Sequence, residues 1–364
     1  MPTCLTRPLL FLCCLLALGL TISCKEEPPQ RQIITYNGPA APILAKKSPG
    51  PQGIVRDILE TSTGGVYLLS FNGLFLRDGD DYKAVATSSR PNSSDFTALN
   101  EIPALKQSGQ DSTQQTATRF FAGLEDQNGT LWFGSIGEGL FRFENDTWTR
   151  FTTNDGLAGN EVTALYEASD GTIWVGTLSG LSRYDGITFI NFTSPEYKGL
   201  REINAISEDQ SGDLWLGTVD GVFVYDGKTF SPFLMEPDAY PDQNERQAYT
   251  NVRSILHDRE GRAWIAGRNG LWRCSGEDCT SILKPFTGYL HQDEAGNLYV
   301  GHEREADSGW AISRFAREDL DLPNPAAEIV ATDLIMIFGI QSFPDEVLYG
   351  TVRGIKSFPL AEED

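Results

Sequence analysis

Short apolar runs separated by turn residues recur along most of the chain, and residues 162–192 show the pattern most clearly. Four short runs rich in β-branched and aromatic residues follow one another there. Ser169-Asp170-Gly171 and Asp185-Gly186 lie between runs, where Asp bonds the backbone ahead of it and Gly supplies a positive φ. Sustained helical periodicity is absent beyond the first residues of the chain. Four short strands joined by tight turns predict one antiparallel blade of a β-propeller.

The same unit recurs along the chain and is marked by a large side chain in its second run. These anchor residues are Tyr67, Trp132, Trp174, Trp215, Trp264, Tyr299 and Leu348. The central anchors lie about 40–45 residues apart, which is a typical blade length. A unit of this size cannot bury its own apolar faces, so the copies must stack. We therefore expect the anchors to pack between blades; a sugar-stacking platform is the alternative for the tryptophans.

The count of anchors predicts an all-β fold, a single seven-bladed β-propeller of four-stranded antiparallel blades over residues 32–360. Two polar insertions, at about 83–118 and 232–249, interrupt it. The last repeat contains three strand-like runs, whereas residues 32–37 form an extra run before the first repeat. We expect this N-terminal strand to be the outermost strand of the last blade, closing the ring and protecting its edge.

The run Asp170-Gly171-Thr172-Ile173-Trp174-Val175-Gly176-Thr177 followed by Gly180-Leu181 resembles the two-component regulator propeller repeat. The resemblance extends over nearly all of residues 54–358. It implies a propeller like the extracytoplasmic sensor domains of some hybrid histidine kinases, or like free-standing propellers of the same family. The motif is specific for the repeat and carries no information about a ligand. No kinase region is recognisable, so phosphotransfer is not expected.

The N-terminus has the pattern of a secretory leader that ends in a lipid-modified cysteine. Arg7 precedes an apolar run, and Thr21-Ile22-Ser23-Cys24 resembles a bacterial lipobox. We predict a signal peptide over residues 1–23, lipidation at Cys24 and a polar tether over 24–31. Lys25-Glu26-Glu27 resembles a surface-export signal, with an ordinary charged tether as the alternative. The expectation is an outer-membrane lipoprotein on the periplasmic or surface-exposed side, touching the membrane through its lipid alone.

Cysteine usage and charge narrow the possible partners. Cys274 and Cys279 flank a Ser-Gly-Glu-Asp hairpin tip, which places them opposite each other, and an oxidising compartment favours a disulfide between them. No second ligand pair stands at a zinc spacing, so neither a metal nor another cofactor is expected. The formal charge of −21 argues against nucleic acid as a partner, because that binding depends on basic patches.

Candidate chemistry gathers where the first strand of each blade begins, around the mouth of the central channel. Alignment of the repeats on the turn glycine puts one residue of each blade there: Arg56, Phe121, Thr163, Asn204, Arg253, Gly288 and Ile337. Loops on the same face contribute Asn160, Glu161, Arg201, Glu202, Tyr249 and Asn251. Polar and aromatic groups that converge on a concavity are the default binding site. The alternative is that they merely plug and solvate the channel.

Three functions remain open at this stage. The leading one is a non-catalytic module that binds or senses an unidentified small molecule, glycan or protein. A metal-assisted lyase or hydrolase is the rival, because similar single propellers use a histidine base; here that base would be His257, His291 or His302, which fall at different points of the repeats. The third is a scaffold in a surface complex. Asp78-Gly79-Asp80-Asp81 is interpreted as an acidic hairpin turn rather than a calcium site.

Overall fold

The chain divides into two units, Met1–Gln32 and Ile33–Asp364, of which the first lies outside the described residues. A computed structural model of the protein describes residues 43–48, 50–85, 117–193, 196–197, 199–233, 251–305, 309–333 and 335–360. Cys24, the predicted leader and tether, and the strand predicted at 32–37 lie outside these ranges. Most of the two predicted insertions does as well, at 86–116 and 234–250. Among the described residues, no helix is long and apolar enough to cross a membrane.

Seven antiparallel sheets make up the described fold, confirming the all-β, seven-bladed propeller. The innermost strands are β2 (Val55–Glu60), β6 (Phe120–Glu125), β10 (Val162–Glu167), β14 (Ala205–Glu208), β18 (Ser254–His257), β22 (Thr287–Gln292) and β26 (Ile337–Ser342). The second strands are β3 (Val66–Ser70), β7 (Leu131–Ser135), β11 (Ile173–Thr177), β15 (Leu214–Gly217), β19 (Ala263–Gly267), β23 (Leu298–Glu303) and β27 (Glu346–Thr351).

The outer half of each blade follows the same order. The third strands are β4 (Gly73–Asp78), β8 (Leu140–Glu144), β12 (Gly180–Tyr184), β16 (Val222–Tyr225), β20 (Gly270–Ser275), β24 (Trp310–Phe315) and β28 (Gly354–Pro359). The fourth strands are β5 (Asp81–Val85), β9 (Thr147–Phe151), β13 (Phe189–Thr193), β17 (Phe230–Pro232), β21 (Asp278–Leu283) and β25 (Ala327–Asp333). β1 (Ile43–Ser48) pairs with β5 as a fifth strand of the first blade, which the sequence did not predict.

The turns form for the reasons that the sequence suggested. In the third blade Gly171 has φ 80°, in the left-handed region where a side chain is strained. The Asp170 carboxylate accepts a hydrogen bond from the Thr172 amide at 2.9 Å and so fixes the turn. β11 then pairs with β12 in regular antiparallel register from Ile173 to Thr177.

The core lies between the blades. Six of the seven anchor side chains are buried in it as predicted, and Tyr67 is partly buried. Trp132, Trp174, Trp215 and Trp264 are at most 8% exposed. Three of them also donate the indole N–H to an aspartate six residues earlier: Trp132 to Asp126 at 2.9 Å, Trp215 to Asp209 at 3.0 Å and Trp264 to Asp258 at 2.7 Å. The same carboxylates accept amide hydrogens of the turn, so one aspartate couples the turn to the core.

The first and last blades meet through their inner strands. Val55, Leu68 and Leu348 share one apolar cluster across this junction. The Arg77 guanidinium pairs with Glu346 at 2.5 Å across the same boundary. The described residues of the last blade form three strands, as predicted for that part of the chain. The further prediction, that residues 32–37 complete this blade, concerns residues outside the described ranges.

The predicted disulfide is confirmed in the fifth blade. Cys274 of β20 and Cys279 of β21 stand opposite each other in the register, with a Cα–Cα distance of 4.1 Å, and their sulfur atoms are bonded. The bond closes the outer hairpin of that blade, as the spacing of the two cysteines indicated.

Replacing Trp215 by alanine tests whether the anchor residues are structural. We expect Trp215→Ala to lower the free energy of unfolding by about 3–5 kcal/mol, because it leaves a cavity in the core. The orphaned Asp209 carboxylate adds to the loss. Urea unfolding followed by far-UV circular dichroism measures it, with Leu178→Ala, at a side chain 41% exposed, as control. Equal stability of Trp215→Ala and the unmodified protein would contradict this role.

Candidate functional site

Five innermost strands, β2, β6, β10, β22 and β26, carry an irregularity near their first residue. In the other two blades the register is regular, and Asn204 and Arg253 directly precede β14 and β18. In β2 the register shifts between Val55 and Asp57, which leaves Arg56 outside the ladder; β6 and β10 shift in the same way at Phe121 and Thr163. A bulge of this kind redirects a side chain out of the ladder. The residues predicted at the channel mouth therefore lie at the predicted structural position in these blades.

The prediction for the last blade is wrong by one residue. Ile337 pairs with Thr351, as Val55 pairs with Ser70, and it is fully buried. Phe338 takes the bulge position instead. Four residues separate the paired Ser342 and Val347, whereas five separate the paired Glu60 and Val66. The shorter connection also lacks a glycine, so alignment on a turn glycine misplaced the strand.

Five side chains from five blades converge at the axis; we call Arg56, Phe121, Arg253, Tyr289 and Phe338 the axial cluster. The Arg56 guanidinium carbon lies 3.9 Å from the centre of the Phe121 ring, 4.6 Å from that of Phe338 and 5.4 Å from that of Tyr289. Each distance is within the range of a cation–π interaction. Arg56 is thus held on three aromatic rings, two of which, Tyr289 and Phe338, contact each other at 5.8 Å.

The polar atoms of the axial cluster are not used up by the fold. The Nε atoms of Arg56 and Arg253 and the Tyr289 hydroxyl are buried without a well-formed hydrogen bond. Burial lowers the pKa of Arg56; Arg253 lowers it further, while Tyr289 and Asp57 act in the opposite direction. Burial also raises the pKa of Tyr289, opposed by the two arginines. The cluster thus concentrates positive charge and hydrogen-bond donors in a place with little water.

Asp57 lies beside Arg56 in sequence but serves the scaffold. Its carboxylate accepts hydrogen bonds from the Gly123 amide of the next blade and from the Ile58 amide, each at 2.9 Å. Burial raises its pKa to about 6, although those two bonds and Arg56 act against the rise. Asp57 therefore links the first two blades instead of forming an ion pair with Arg56.

Two other predicted channel residues are used to join blades. The Thr163 hydroxyl donates to the Ile203 carbonyl at 2.6 Å. The Asn204 amide donates to the Val252 carbonyl at 3.2 Å. Each bond reaches the inner-strand region of the following blade, so these side chains have a structural task whatever else they do.

The loop residues predicted on the same face are dispersed. Asn160 accepts the Thr153 amide at 2.9 Å through its side chain, and Glu161 forms an isolated bridge with Ile136. Arg201 is exposed and forms a bidentate ion pair with Asp220, at 2.9 and 3.1 Å. Asn251 has a positive φ of 56° in its loop. Tyr249 lies outside the described residues, so its predicted position stays a prediction.

The three histidines occupy separate places. His257 Nδ1 lies 2.9 Å from Ser207 Oγ, beside a cavity of about 250 Å³ between the fourth and fifth blades. His291 Nε2 lies 2.7 Å from Ser342 Oγ, and burial lowers its pKa to about 4. His302 is buried against Glu303 and Ser313. Within the described ranges, no three His, Cys, Asp or Glu side chains are grouped to hold a metal.

Sequence reasoning found the two arginines of the cluster and Phe121 but missed Tyr289, Phe338 and the role of Asp57. Tyr289 follows Gly288, the residue that the alignment selected, by one position. A bulge can present either neighbour to the axis, and the repeat pattern alone does not say which. A search for aromatic residues within one position of each predicted site would have found both rings.

The raised pKa of Asp57 predicts a specific pH dependence of stability. An unfolded aspartate loses its proton near pH 4, whereas the folded state keeps it to about pH 6. Between these values the folded state binds more protons, so the Asp57 contribution to stability falls as the pH rises. The raised pKa of Asp57 should lower the free energy of unfolding by about 3 kcal/mol in total between pH 4 and pH 6, since each pKa unit corresponds to about 1.4 kcal/mol.

Asp57→Asn should remove this slope, and urea unfolding at intervals between pH 4 and 7 measures it. The stability of Asp57→Asn relative to the unmodified protein should increase from pH 4 to 6 and then stay level. Other titrating groups, including His291, are common to both proteins and cancel in the difference. A difference in stability that stays constant with pH would contradict the assignment.

Comparison with known proteins supports the repeat family and the fold. A family model described as two component regulator propeller matches residues 156–179. No curated protein sequence matches the chain. The extracellular domain of the putative hybrid two component system BT3049 from B. thetaiotaomicron is similar in structure, with a TM-score of 0.60 at 15% identity over 84% of this chain. That of BT4673 from the same organism gives 0.52 at 18% identity over 85%.

A third similar structure is a catalytically inactive virginiamycin B lyase from Staphylococcus aureus with quinupristin. Its TM-score is 0.60 at 10% identity, over 87% of this chain and 98% of the lyase. The chain spans 39% and 48% of the lengths of the two B. thetaiotaomicron chains. At these identities the structures establish the fold, and the match at residues 156–179 identifies the repeat. The protein is a seven-bladed propeller that carries the two component regulator propeller repeat, as the sequence resemblance indicated.

Proposed function

We propose that the protein is a non-catalytic binding or sensing propeller of the cell envelope, with its ligand at the axial cluster. The observation that carries this proposal is the pair Arg56 and Arg253, whose guanidinium groups come from blades on different sides of the ring and have no carboxylate partner among the described residues. Buried polar groups are normally satisfied within a fold, so two unsatisfied guanidinium Nε atoms beside the axis suggest a ligand.

The rest of the same face supports this choice by contrast. Thr163 and Asn204 are bonded to neighbouring blades, and Arg201 is paired with Asp220. The predicted face therefore narrows to Arg56, Arg253 and the newly found Tyr289, with aromatic side chains around them. Hydrogen bonds or an ion pair within the fold account for Thr163, Asn204 and Arg201. Within the described parts of the chain, no such contact accounts for the Nε atoms of Arg56 and Arg253 or for the Tyr289 hydroxyl.

The comparisons support a sensing role by analogy. Two similar structures are extracellular domains of putative hybrid two component systems, and a binding propeller is consistent with a domain of such a system. The separation of the three histidines gives no observation in favour of a lyase or hydrolase, and none favours a scaffold. The ligand can be a small molecule, a glycan or a segment of protein.

Hydrogen–deuterium exchange tests the location of the site for a ligand of any charge. A thermal-shift screen of envelope glycans, peptides and metabolites first finds a ligand, since binding to the folded state raises the melting temperature. That ligand should slow exchange in the segments around Arg56, Arg253 and Tyr289 and leave the outer strand β13 unchanged. Protection confined to outer strands would contradict the axial site.

The location of the protein is a separate part of the proposal. We propose that Cys24 is lipidated after removal of residues 1–23 and anchors an outer-membrane protein on the periplasmic or surface side. The propeller's disulfide is in keeping with such an oxidising compartment.

Cys24→Ser should abolish this anchoring. In cells fed a radioactive fatty acid, the unmodified protein should be labelled and sediment with membranes, whereas the Cys24→Ser protein should be unlabelled. Cys274→Ser serves as the control, because that cysteine is in the disulfide and should not affect labelling. A labelled Cys24→Ser protein would contradict the assignment.

A further inference from the structure

Resting on the proposed function, we propose that the group recognised at the axial cluster is a carboxylate, bound between Arg56, Arg253 and Tyr289. The proposed function leaves the chemistry of the ligand open, and this inference specifies a monoanion. It rests on the charge, the partners and the shape of the cluster.

The two arginines of the cluster differ from the arginines of this protein that form close ion pairs. Arg77, Arg201 and Arg262 each have a carboxylate within 3.0 Å or less. The whole chain has 50 acidic and 29 basic residues, so acidic side chains are not in short supply. Yet neither Arg56 nor Arg253 pairs with a carboxylate in the part of the chain that the structure describes. Two arginines without a carboxylate partner therefore lie close together at the axis, in a chain rich in acidic side chains.

Asp57 does not fill this role. Both of its oxygen atoms already accept backbone amide hydrogens, from Ile58 and Gly123. Its charge acts on Arg56 more weakly than the Tyr289 and Arg253 interactions do. With Asp57 ionised above about pH 6, the two arginines still leave the axis with one net positive charge. One monoanion would balance it, whereas a dianion such as sulfate would exceed it.

The cluster by itself is electrostatically unfavourable, and an anion would relieve this. Arg253 acts on Arg56 as a like charge, burial disfavours the charged form of Arg56, and the Nε atoms of both side chains are shielded from solvent. Unpaired buried charges are costly, and an oppositely charged group with good hydrogen bonds offsets that cost. The aromatic rings partly compensate Arg56, but no ring contact of Arg253 is present among the described residues. Arg253 has the greater need of an external partner.

The geometry of the donors suits a flat group with two oxygen atoms. Contacts with Phe121, Phe338 and Tyr289 fix the plane of the Arg56 guanidinium, so little freedom is lost when it binds. A planar guanidinium matches a carboxylate through paired hydrogen bonds. The Tyr289 hydroxyl provides a further donor, and its burial raises its pKa, so it keeps its proton at neutral pH. The rings limit access of water, which strengthens charged interactions.

The test uses acetate as the smallest carboxylate and acetamide as its neutral analogue. Differential scanning calorimetry at pH 7.5 and constant ionic strength compares the melting temperature of the full mature chain in up to about 100 mM of either compound. Acetate should raise the melting temperature by a few degrees, as expected for a ligand at about ten times its dissociation constant. Acetamide should have no effect. Sulfate stabilises folded proteins in general, so it is judged by the part of its shift that Arg253→Met removes, which should be smaller than for acetate. Equal effects of acetate and acetamide, or a greater Arg253-dependent shift with sulfate, would overturn the inference.

Variants of the two arginines locate the effect. Arg56→Met and Arg253→Met should each remove the acetate-dependent shift, while Arg56→Lys, which keeps the charge but not the planar fork, should reduce it. Arg150→Met is the matched control, because it removes the same charge from β9, where Arg150 lies 3.9 Å from Glu138. Persistence of the shift in Arg253→Met, or its loss in Arg150→Met, would contradict the site.

A second readout does not depend on the variants' stability. In nitrogen-15 NMR spectra of the unmodified protein, acetate should shift two arginine Nε–H signals, whereas acetamide should shift none. Absence of such shifts would overturn the carboxylate inference. If a neutral ligand protected the axis in the exchange experiment while acetate had no effect, the carboxylate inference would fail and the proposed function would stand. Protection away from the axis would defeat both.

Discussion

The close approach of neighbouring blades at one repeated glycine is the constraint on which the ring depends. A Cβ atom at Gly134, Gly176 or Gly217 would lie 2.5, 2.8 or 2.6 Å from Val162, Ile203 or Val252, respectively. Each of these three aliphatic residues belongs to the following blade, near the start of its inner strand. At the junction of the last and first blades, a Cβ on Gly350 would lie 2.3 Å from the Val55 carbonyl. At these four junctions the blades approach this closely because the glycine lacks a side chain, whereas Leu69 and Ala266 occupy the position in the first and fifth blades.

This packing explains why polar residues near the axis fall into two groups. Where inner strands approach closely, a polar side chain can reach the backbone of the next blade, as Thr163 and Asn204 do. Where aromatic residues occupy the space, as around Arg56, no carbonyl of the described backbone accepts the Nε hydrogen of the guanidinium. Polar groups that are hydrogen-bonded within the fold make the ring more rigid, and polar groups without such a partner can bind a ligand. The same scaffold rule thus produces both stability and a candidate binding site.

The far ends of several inner strands show the structural use of carboxylates. Glu125 accepts the amide and the hydroxyl of Ser62, at 2.5 and 2.9 Å, from the turn of the preceding blade. Glu208 does the same with Ser169, at 2.7 and 2.8 Å. These contacts recur between blades, whereas the axial cluster occurs once. Repetition indicates a part of the scaffold, and the axial cluster departs from that repetition.

The sequence by itself determined the blade, the number of blades, the burial of Trp132, Trp174, Trp215 and Trp264, and the disulfide. These features depend on contacts within one hairpin or on a pattern that recurs in each repeat, and both can be seen along the chain. It also selected Arg56 and Arg253, because the repeat fixes where each inner strand begins.

Only the tertiary structure decided which polar groups are free. Tyr289 and Phe338 reach Arg56 from blades far away in sequence, and a shortened turn moved the axial position from Ile337 to Phe338. Likewise, Asp57 and Arg201 find their partners in other segments of the chain, in the Gly123 amide of β6 and the Asp220 carboxylate. A repeat pattern specifies where a residue lies within its own blade, but not which side chains of another blade contact that residue. The properties of the axial cluster depend on these contacts between blades.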